Sequence, residues 1–202
     1  MNREEKNLNT KTKIMESAVK EFASHGYEAA SLNVISEKGG ISKGIIYHYF
    51  ASKEDLYLAC IRECFSDLTD YLKKNVKETE TDDILTDYFA VRTEYFKNNS
   101  ERAKLFFGSV LYPPDFLQNK IREERKEFDQ LNRNMMKKII QQNPVRKDIS
   151  QKEIIEAFEI FQNLLNAGFR NVIGGRADIV KHEKSCRAAL NIFLYGIVRR
   201  EK

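Results

Sequence analysis

The sequence predicts an all-α protein of about nine helices, with a small N-terminal three-helix domain followed by a larger helical domain. Only 3 of the 202 residues are proline, so few positions force a helix to end. Apolar residues recur three or four positions apart in segment after segment, which is the spacing of a buried helix face. The boundary is placed within a long fourth helix, so that the predicted domains are residues 8–68 and 69–202.

The first helix is predicted from Thr12 to His25, after a loose arm of residues 1–9. Its apolar positions share helical spacing and provide a face for the next helices: Ile14, Met15, Ala18, Val19 and Phe22. Gly26 followed by Tyr27 predicts a left-handed stop.

Residues 31–50, SLNVISEKGGISKGIIYHYF, predict two short helices joined by a tight reversal. Ser31 and Ser42 are suitable N-caps, and Gly39-Gly40 supplies the backbone freedom for the turn. Ile46 and Phe50 lie four residues apart and are expected to face inwards. The outward positions are then Lys43, Gly44, Tyr47 and His48. This is the pattern of a helix-turn-helix with a recognition helix.

Six further helices are predicted after this motif. They are separated by a polar break at residues 77–83, by the turn at Tyr112-Pro113-Pro114, by Asn143-Pro144 and by Gly174-Gly175. Their predicted ranges are 52–76, 84–98, 100–111, a long helix from the Pro113-Pro114 turn to about 141, 150–173 and 178–199.

The stretch GYEAASLNVISEKGGISKGIIYHYFASKEDL (residues 26–56) resembles the N-terminal signature of the TetR family of bacterial transcriptional regulators. Three positions depart from that signature: Ala30 replaces a common threonine, Val34 a common acidic residue and Gly39 a common alanine. The matching positions are Gly26-Tyr27, Ser31, Ile35, Gly40, Ser42-Lys43-Gly44, Tyr47, Tyr49-Phe50, Ser52-Lys53-Glu54 and Leu56. The resemblance implies a helix-turn-helix that binds double-stranded DNA, and dimerisation through the last two helices.

Eight residues are predicted to contact DNA. Lys43 is a candidate for a base or a phosphate, and Gly44 allows close approach of the backbone. Tyr47 and His48 offer hydrogen bonds and flat faces, while Lys53 lies at a helix N-terminus that favours an anion. The resemblance adds backbone contacts from Ser31, Ser42, Tyr47, Tyr49 and Lys53. The serines are also caps whatever the function, and Tyr49 is also a candidate for packing.

The last two predicted helices have broad apolar faces, which favours pairing with a second copy. The candidates for this interface are Phe169, Val172, Ile173, Ala189, Ile192, Phe193 and Gly196. A two-fold dimer reads a palindromic operator when its recognition helices lie about 34 to 36 Å apart.

The second predicted domain is rich in aromatic residues that could line a pocket for a small apolar or aromatic molecule. The candidates are Tyr88, Tyr95, Phe106, Phe107, Phe128, Met135 and Phe161. The alternative is that these residues simply fill a helical core. Cys60 and Cys64 lie one helical turn apart, but no histidine or carboxylate accompanies them at metal-ligand spacing, so we interpret them as buried apolar residues.

The function predicted from these patterns is a homodimeric repressor that binds a palindromic operator and is released by a small molecule. The alternative is a helix-turn-helix protein controlled by a protein partner without a ligand. An enzyme is not predicted, because the sequence has no glycine-rich phosphate loop, metal quartet or nucleophile elbow; no cofactor or metal is expected either. The formal net charge of +4 is a weak indicator of DNA binding. With no apolar run of bilayer length, a polar N-terminus and only three cysteines, we expect a cytoplasmic protein without a membrane span.

Overall fold

The protein is all-α, as predicted. The computed structural model describes residues 3–77, 84–172 and 179–197, and within these ranges it contains ten α-helices, one short 3-10 helix and no β-strand. The helices are α1 (Arg3–Ala29), α2 (Leu32–Gly39), α3 (Lys43–Tyr49), α4 (Lys53–Asn75), α5 (Ile84–Asn98), α6 (Ser100–Leu111), α7 (Gln118–Glu124), α8 (Lys126–Gln142), α9 (Gln151–Val172) and α10 (Ile179–Ile197), with the 3-10 helix at Asp115–Leu117.

The N-terminal arm differs from the prediction, because α1 is helical from Arg3 onwards instead of beginning near Thr12. The first turns of α1 are bonded to α3, because the Tyr49 hydroxyl donates to the Oδ1 atom of Asn7 at 3.1 Å. Gly26 interrupts the helix with φ 70° and ψ −177°, a conformation essentially confined to glycine. The chain therefore changes direction at Gly26, but not through the left-handed stop that was predicted.

The long helix predicted from the Pro113-Pro114 turn to about residue 141 is wrong, because the chain breaks at Arg125 between α7 and α8. No proline or glycine lies there, so local propensity does not explain the break. The break coincides with the boundary between two compact units of the chain, with Arg125 in one unit and Lys126 in the other.

The first compact unit comprises residues 1–66 and 99–125. Its core is built on the apolar face of α1, together with Ile35, Ile46 and Leu56, all fully buried or nearly so. α6 packs on α1, and Arg62 of α4 makes two hydrogen bonds, of 2.6 and 2.7 Å, to Glu124 of α7. Residues 99–125 therefore pack with the N-terminal helices, although they lie beyond the predicted boundary at 68. The predicted boundary at 68 concerns the functional division of the chain, and it stays a prediction.

The second unit comprises residues 67–98 and 126–202, of which the described parts form the end of α4, α5 and α8 to α10. α5 packs against α10, and α8 packs against α9. Its apolar core includes Phe96, Met136 and Phe158, all buried. Within the described ranges, none of the helices combines the length and apolar character that crossing a bilayer requires.

Candidate nucleic-acid interface

The helix-turn-helix forms where the sequence predicts it, and both predicted N-caps are in place. The Ser31 Oγ atom accepts from the Asn33 amide, and the Ser42 Oγ atom accepts from the Ile45 amide, each at 3.3 Å. These bonds satisfy amides that the first turn of a helix leaves without partners. Gly40 ends α2 in the left-handed region, at φ 60° and ψ 35°, where a side chain would be strained.

Two serine hydroxyls hold the turn from inside. Ser36 donates to the carbonyl of Ile41 at 2.5 Å, which closes the loop between α2 and α3. Ser17 of α1 donates to the carbonyl of Ile35 at 2.8 Å, and this bond is buried. The middle of α2 is thereby attached to α1 and to the loop that leads into α3.

A buried glutamate of α1, Glu21, braces α2 at both ends. It is 2% exposed. Its Oε1 atom accepts from the Ser31 amide at 3.3 Å, and its Oε2 atom lies 3.3 Å from the Lys38 Nζ atom. The sequence analysis missed this residue. Helical spacing could have identified it, because Ser17 and Glu21 lie on the inward face of α1 beside Ile14 and Ala18.

The orientation predicted for α3 is confirmed. Ile46 and Phe50 are buried, whereas the four predicted outward residues are exposed: Lys43, Gly44, Tyr47 and His48. Ile45 is exposed as well, which was not predicted. A methyl group built at Gly44 would meet only the Ser42 Oγ atom, at 4.0 Å, so the space above Gly44 is open. The outer surface of α3 is therefore accessible over its whole length.

Two predicted DNA contacts are also bonded within the protein. Tyr49 is half-buried and donates to Asn7, as described above. The Lys53 ammonium donates to the carbonyl of Glu28 at 3.1 Å and lies 4.8 Å from the centre of the Tyr27 ring. Both side chains are thus held by partners within the protein.

The other predicted contacts are the two caps. Ser42 is exposed and Ser31 is half-buried. All eight predicted residues lie in the first compact unit, on α3 or at helix starts next to it. Their contacts with DNA remain predictions.

The predicted pocket residues divide between the two units. Phe106 and Phe107 belong to the first unit, where Phe106 packs on Phe65 at 5.0 Å between ring centres. The other candidates belong to the second unit: Tyr88, Tyr95, Phe128 and Met135, which are buried, and Phe161, which is half-buried and stacks on Phe193 at 5.1 Å. Their role in a pocket stays a prediction.

The predicted dimer residues are only partly within the described structure. Ile173 lies outside the described residues, and the side-chain environments of Phe169, Val172 and Gly196 lie outside it too. Of the rest, Ala189 and Phe193 are half-buried and Ile192 is 73% exposed. A further apolar stripe, which was not predicted, is exposed along α9: Ala157, Ile160, Leu164 and Ala167.

The second unit contains a buried polar cluster between α5, α8 and α10. Arg92 makes two hydrogen bonds of 2.6 Å to the carboxylate of Glu183. The Tyr88 hydroxyl accepts from Arg92 at 3.3 Å and donates to Asn132 at 2.7 Å. All four side chains are buried.

In the ion pair at the centre of this cluster, Arg92 and Glu183 each favour the charged form of the other. Burial alone would raise the pKa of Glu183, but the charge of Arg92 and the bonds from His182 and Arg92 lower it below the ordinary value. Burial alone would lower the pKa of Arg92, but Glu183 raises it. Burial raises the pKa of the neighbouring Cys186 to about 11, so its thiol stays protonated at neutral pH.

The three cysteines are buried free thiols, as expected for Cys60 and Cys64. Burial also raises the pKa of Cys60, and the Cys64 thiol lies 3.3 Å from the carbonyl of Arg102. Among the described residues, no group of three His, Cys, Asp or Glu side chains is arranged to hold a metal ion.

Comparison with known proteins places the helix-turn-helix in a family. The family described as "Bacterial regulatory proteins, tetR family" matches residues 14–60. The transcriptional repressor AcnR of Corynebacterium glutamicum is 38% identical over 71 residues, which cover 35% of this chain and 38% of AcnR. IcaR of Staphylococcus epidermidis, a negative transcriptional regulator of the biofilm operon icaADBC, is 24% identical over 119 residues, covering 59% of this chain and 63% of IcaR.

The fold of the whole chain is shared more widely than the sequence. The transcriptional regulator FadR from Bacillus subtilis, solved in complex with stearoyl-CoA, covers 93% of this chain and 99% of its own at a TM-score of 0.70. Sequence identity is only 19%, so this likeness shows the fold alone. The matched sequence spans less than two thirds of AcnR or IcaR. The family match at residues 14–60 includes the two caps, the Gly40 turn and the exposed α3. Residues 14–60 therefore match the tetR family of bacterial regulatory proteins, and the likeness to that family is established for this helix-turn-helix region.

Proposed function

We propose that this protein is a sequence-specific DNA-binding transcriptional regulator that reads the major groove with the exposed face of α3. The observation that carries the proposal is the surface of α3, where Lys43, Gly44, Tyr47 and His48 are all accessible. A recognition helix needs such a surface, because base edges are read by side chains that project from a helix held in the groove.

The support beneath α3 favours the same function. Ser17, Glu21 and Ser36 bond the backbone of the motif from its inner side. On the outer side, Tyr49 and Lys53 are bonded within the protein, and the His48 ring contacts the Tyr49 ring at 5.3 Å between ring centres. A preorganised helix loses little conformational freedom when it enters the groove.

The regulator acts as a homodimer on a palindromic operator in the cytoplasm. The exposed stripe on α9, together with Ile192 of α10, provides an apolar surface that a second copy would cover. Leu164→Glu or Ile192→Glu would place a charge in that surface, so we expect either variant to sediment as a monomer at concentrations where the wild type is a dimer. Glu159→Gln changes another exposed residue of α9 and should leave the dimer intact.

Repression released by a small apolar or aromatic molecule is the proposed mode of control. AcnR and IcaR are named as a repressor and a negative regulator, and FadR was solved with stearoyl-CoA. The aromatic side chains of the second unit supply an apolar environment for such a molecule. Binding that favours one spacing of the two recognition helices over another would change affinity at both half-sites together.

The test is selection of bound sequences from random duplex DNA by the purified wild-type protein. It should be run at moderate salt, so that nonspecific phosphate binding is weak. We expect an enriched palindrome whose half-site centres lie one helical turn, or a multiple of it, apart. A folded, dimeric protein that enriches no sequence would overturn the proposal.

A further inference from the structure

Ile45 is a large apolar side chain that the fold leaves exposed on α3. It is 39% exposed, whereas the next residue, Ile46, is 1% exposed. The two isoleucines therefore have different roles: Ile46 holds the helix in the core, and Ile45 is presented to the surroundings. An exposed isoleucine alone is ordinary on a protein surface, so its position on the helix decides the interpretation.

Ile45 is the third residue of α3, in its first turn. Its amide donates to both the hydroxyl and the carbonyl oxygen of Ser42, at 3.3 and 3.0 Å, so its backbone is fixed by the N-cap. Residues near the N-terminus of a recognition helix are those that reach base edges. Gly44, which precedes Ile45, has no side chain that could shield it.

The angular position of Ile45 on α3 also agrees with a contact to a base edge. Successive residues of a helix turn by about 100°, so Gly44 and His48 lie nearly opposite the buried Ile46. Ile45 then lies on one flank of the outward face and Tyr47 on the other. Ile45 and Tyr47 are thus placed to touch different bases of one half-site.

The chemistry of the side chain selects its target. Isoleucine cannot hydrogen-bond, and the apolar group that a base pair presents in the major groove is the 5-methyl of thymine. Branching at Cβ restricts the side chain to few rotamers, so little entropy is lost when it packs. We propose that Ile45 determines specificity for thymine by packing against its 5-methyl group; this inference rests on the proposed DNA-binding function.

The experiment uses the operator obtained by selection and replaces each thymine by deoxyuridine, one position at a time. Deoxyuridine keeps the Watson–Crick pairing and removes only the methyl group. For wild-type protein we expect one position in each half-site at which the replacement weakens binding about fourfold, and about fifteenfold when both half-sites carry it. In Ile45→Ala the same replacement should change the affinity by less than about twofold, because the methyl contact is already lost.

Tyr47→Ala is the matched control, since it removes the side chain on the opposite flank. It should weaken binding to the operator while keeping the deoxyuridine penalty at the Ile45 position. Wild-type binding that is indifferent to every replacement would overturn the inference, and so would a penalty that Tyr47→Ala abolishes and Ile45→Ala preserves. A wild type that binds no selected duplex at all would instead overturn the proposed function, and the inference with it.

Discussion

The two compact units each bury a carboxylate, and the two carboxylates are held in different ways. Glu21 in the first unit is 2% exposed, but its carboxylate faces a backbone amide, the exposed ammonium of Lys38 and the exposed ring of His25, whose Nδ1 atom lies 3.4 Å away. Glu183 in the second unit is 3% exposed and pairs with Arg92, which is buried as well. The first carboxylate sits at the edge of the core and orients a surface helix, whereas the second is half of an ion pair enclosed between helices. Loss of Glu21 should therefore affect the DNA-reading surface most, and loss of Glu183 the stability of the fold.

Removal of Glu183 should have the largest effect. In Glu183→Ala the Arg92 charge stays buried without its carboxylate, and breaking a buried ion pair in this way costs about 3–5 kcal/mol. Denaturant unfolding at fixed protein concentration measures the loss. Glu156→Ala is the matched control, because Glu156 is exposed and pairs with the exposed Lys152, so its loss should cost about 1 kcal/mol or less. Equal losses in the two variants would contradict the account of the buried pair.

The double variant Arg92→Met, Glu183→Leu tests whether the loss in Glu183→Ala comes from the unpaired charge. It replaces both charges by apolar side chains, so no buried charge is left unpaired, and we expect it to be more stable than Glu183→Ala. Unfolding of both variants under the same conditions makes the comparison. A double variant that is less stable than the single one would show that packing at this site matters more than charge.

The pH dependence of stability should also reveal the contribution of the ionised Glu183 carboxylate. Because the pKa of Glu183 is lowered below the ordinary 4.5 in the folded protein, its contribution is present above that value and is lost as the pH falls through the lowered pKa. The difference in unfolding free energy between wild type and Glu183→Gln should thus shrink as the solution becomes acid enough to protonate Glu183 in the folded protein. A difference that grows on acidification would contradict the assigned direction.

A change at Glu21 should have a smaller effect on stability and a distinct effect on DNA binding. Glu21→Leu removes the acceptor of the Ser31 amide and the partner of Lys38, at a cost of about 1–3 kcal/mol. Because these bonds fix α2, and α2 carries α3, we expect operator affinity to fall even where the protein is fully folded. Hydrogen exchange of the Ser31 amide, together with a DNA titration, measures both consequences.

The conservative variant Glu21→Gln tests which of the Glu21 contacts holds α2 in place. Its amide oxygen can still accept from the Ser31 amide, so part of the affinity should return relative to Glu21→Leu. Glu16→Gln, at an exposed position of the same helix, is the matched control and should match the wild type. Full operator affinity in Glu21→Leu would show that the brace does not position the recognition helix.

Gly44 should show the smallest effect on the fold. Its φ is not positive and a methyl group there meets no atom closer than 4.0 Å, so Gly44→Ala should stabilise the free protein by about 0.5–1 kcal/mol. If α3 enters the groove as proposed, the same methyl group would occupy space at the DNA contact, so operator affinity should fall. Gly108→Ala is the matched control: a methyl group at Gly108 in α6 also meets nothing within 4 Å, and only the gain in stability is expected there. Equal DNA affinities for the two variants would place Gly44 outside the interface.

Much of the first unit could be predicted from sequence because its signals are local. Ser31 and Ser42 cap the helices within three residues of themselves, and Gly40 supplies the left-handed turn. The inward positions Ile46 and Phe50 follow from helical spacing alone. What sequence analysis missed in this unit depends on residues far apart in the chain, such as Asn7 with Tyr49 and Glu21 with Lys38.

The same reasoning explains the larger errors elsewhere. No glycine or proline marks the break at Arg125, which coincides with the boundary between the two units. The Arg92–Glu183 pair joins residues 91 positions apart, and neither residue is unusual within its own helix. The exposure of Ile45 also depends on which face of α3 the core covers, and this is decided by Ile46 one residue later.

The central claim is that the exposed face of α3 reads DNA sequence while the interior of the first unit only holds it in place. Its most direct test compares wild type and Tyr47→Ala for binding to the selected palindrome and to a scrambled duplex of equal length, with thermal unfolding measured in parallel. We predict that Tyr47→Ala keeps the melting temperature and the weak binding to scrambled DNA but loses most of the preference for the palindrome. An undiminished preference in a folded variant would contradict the claim.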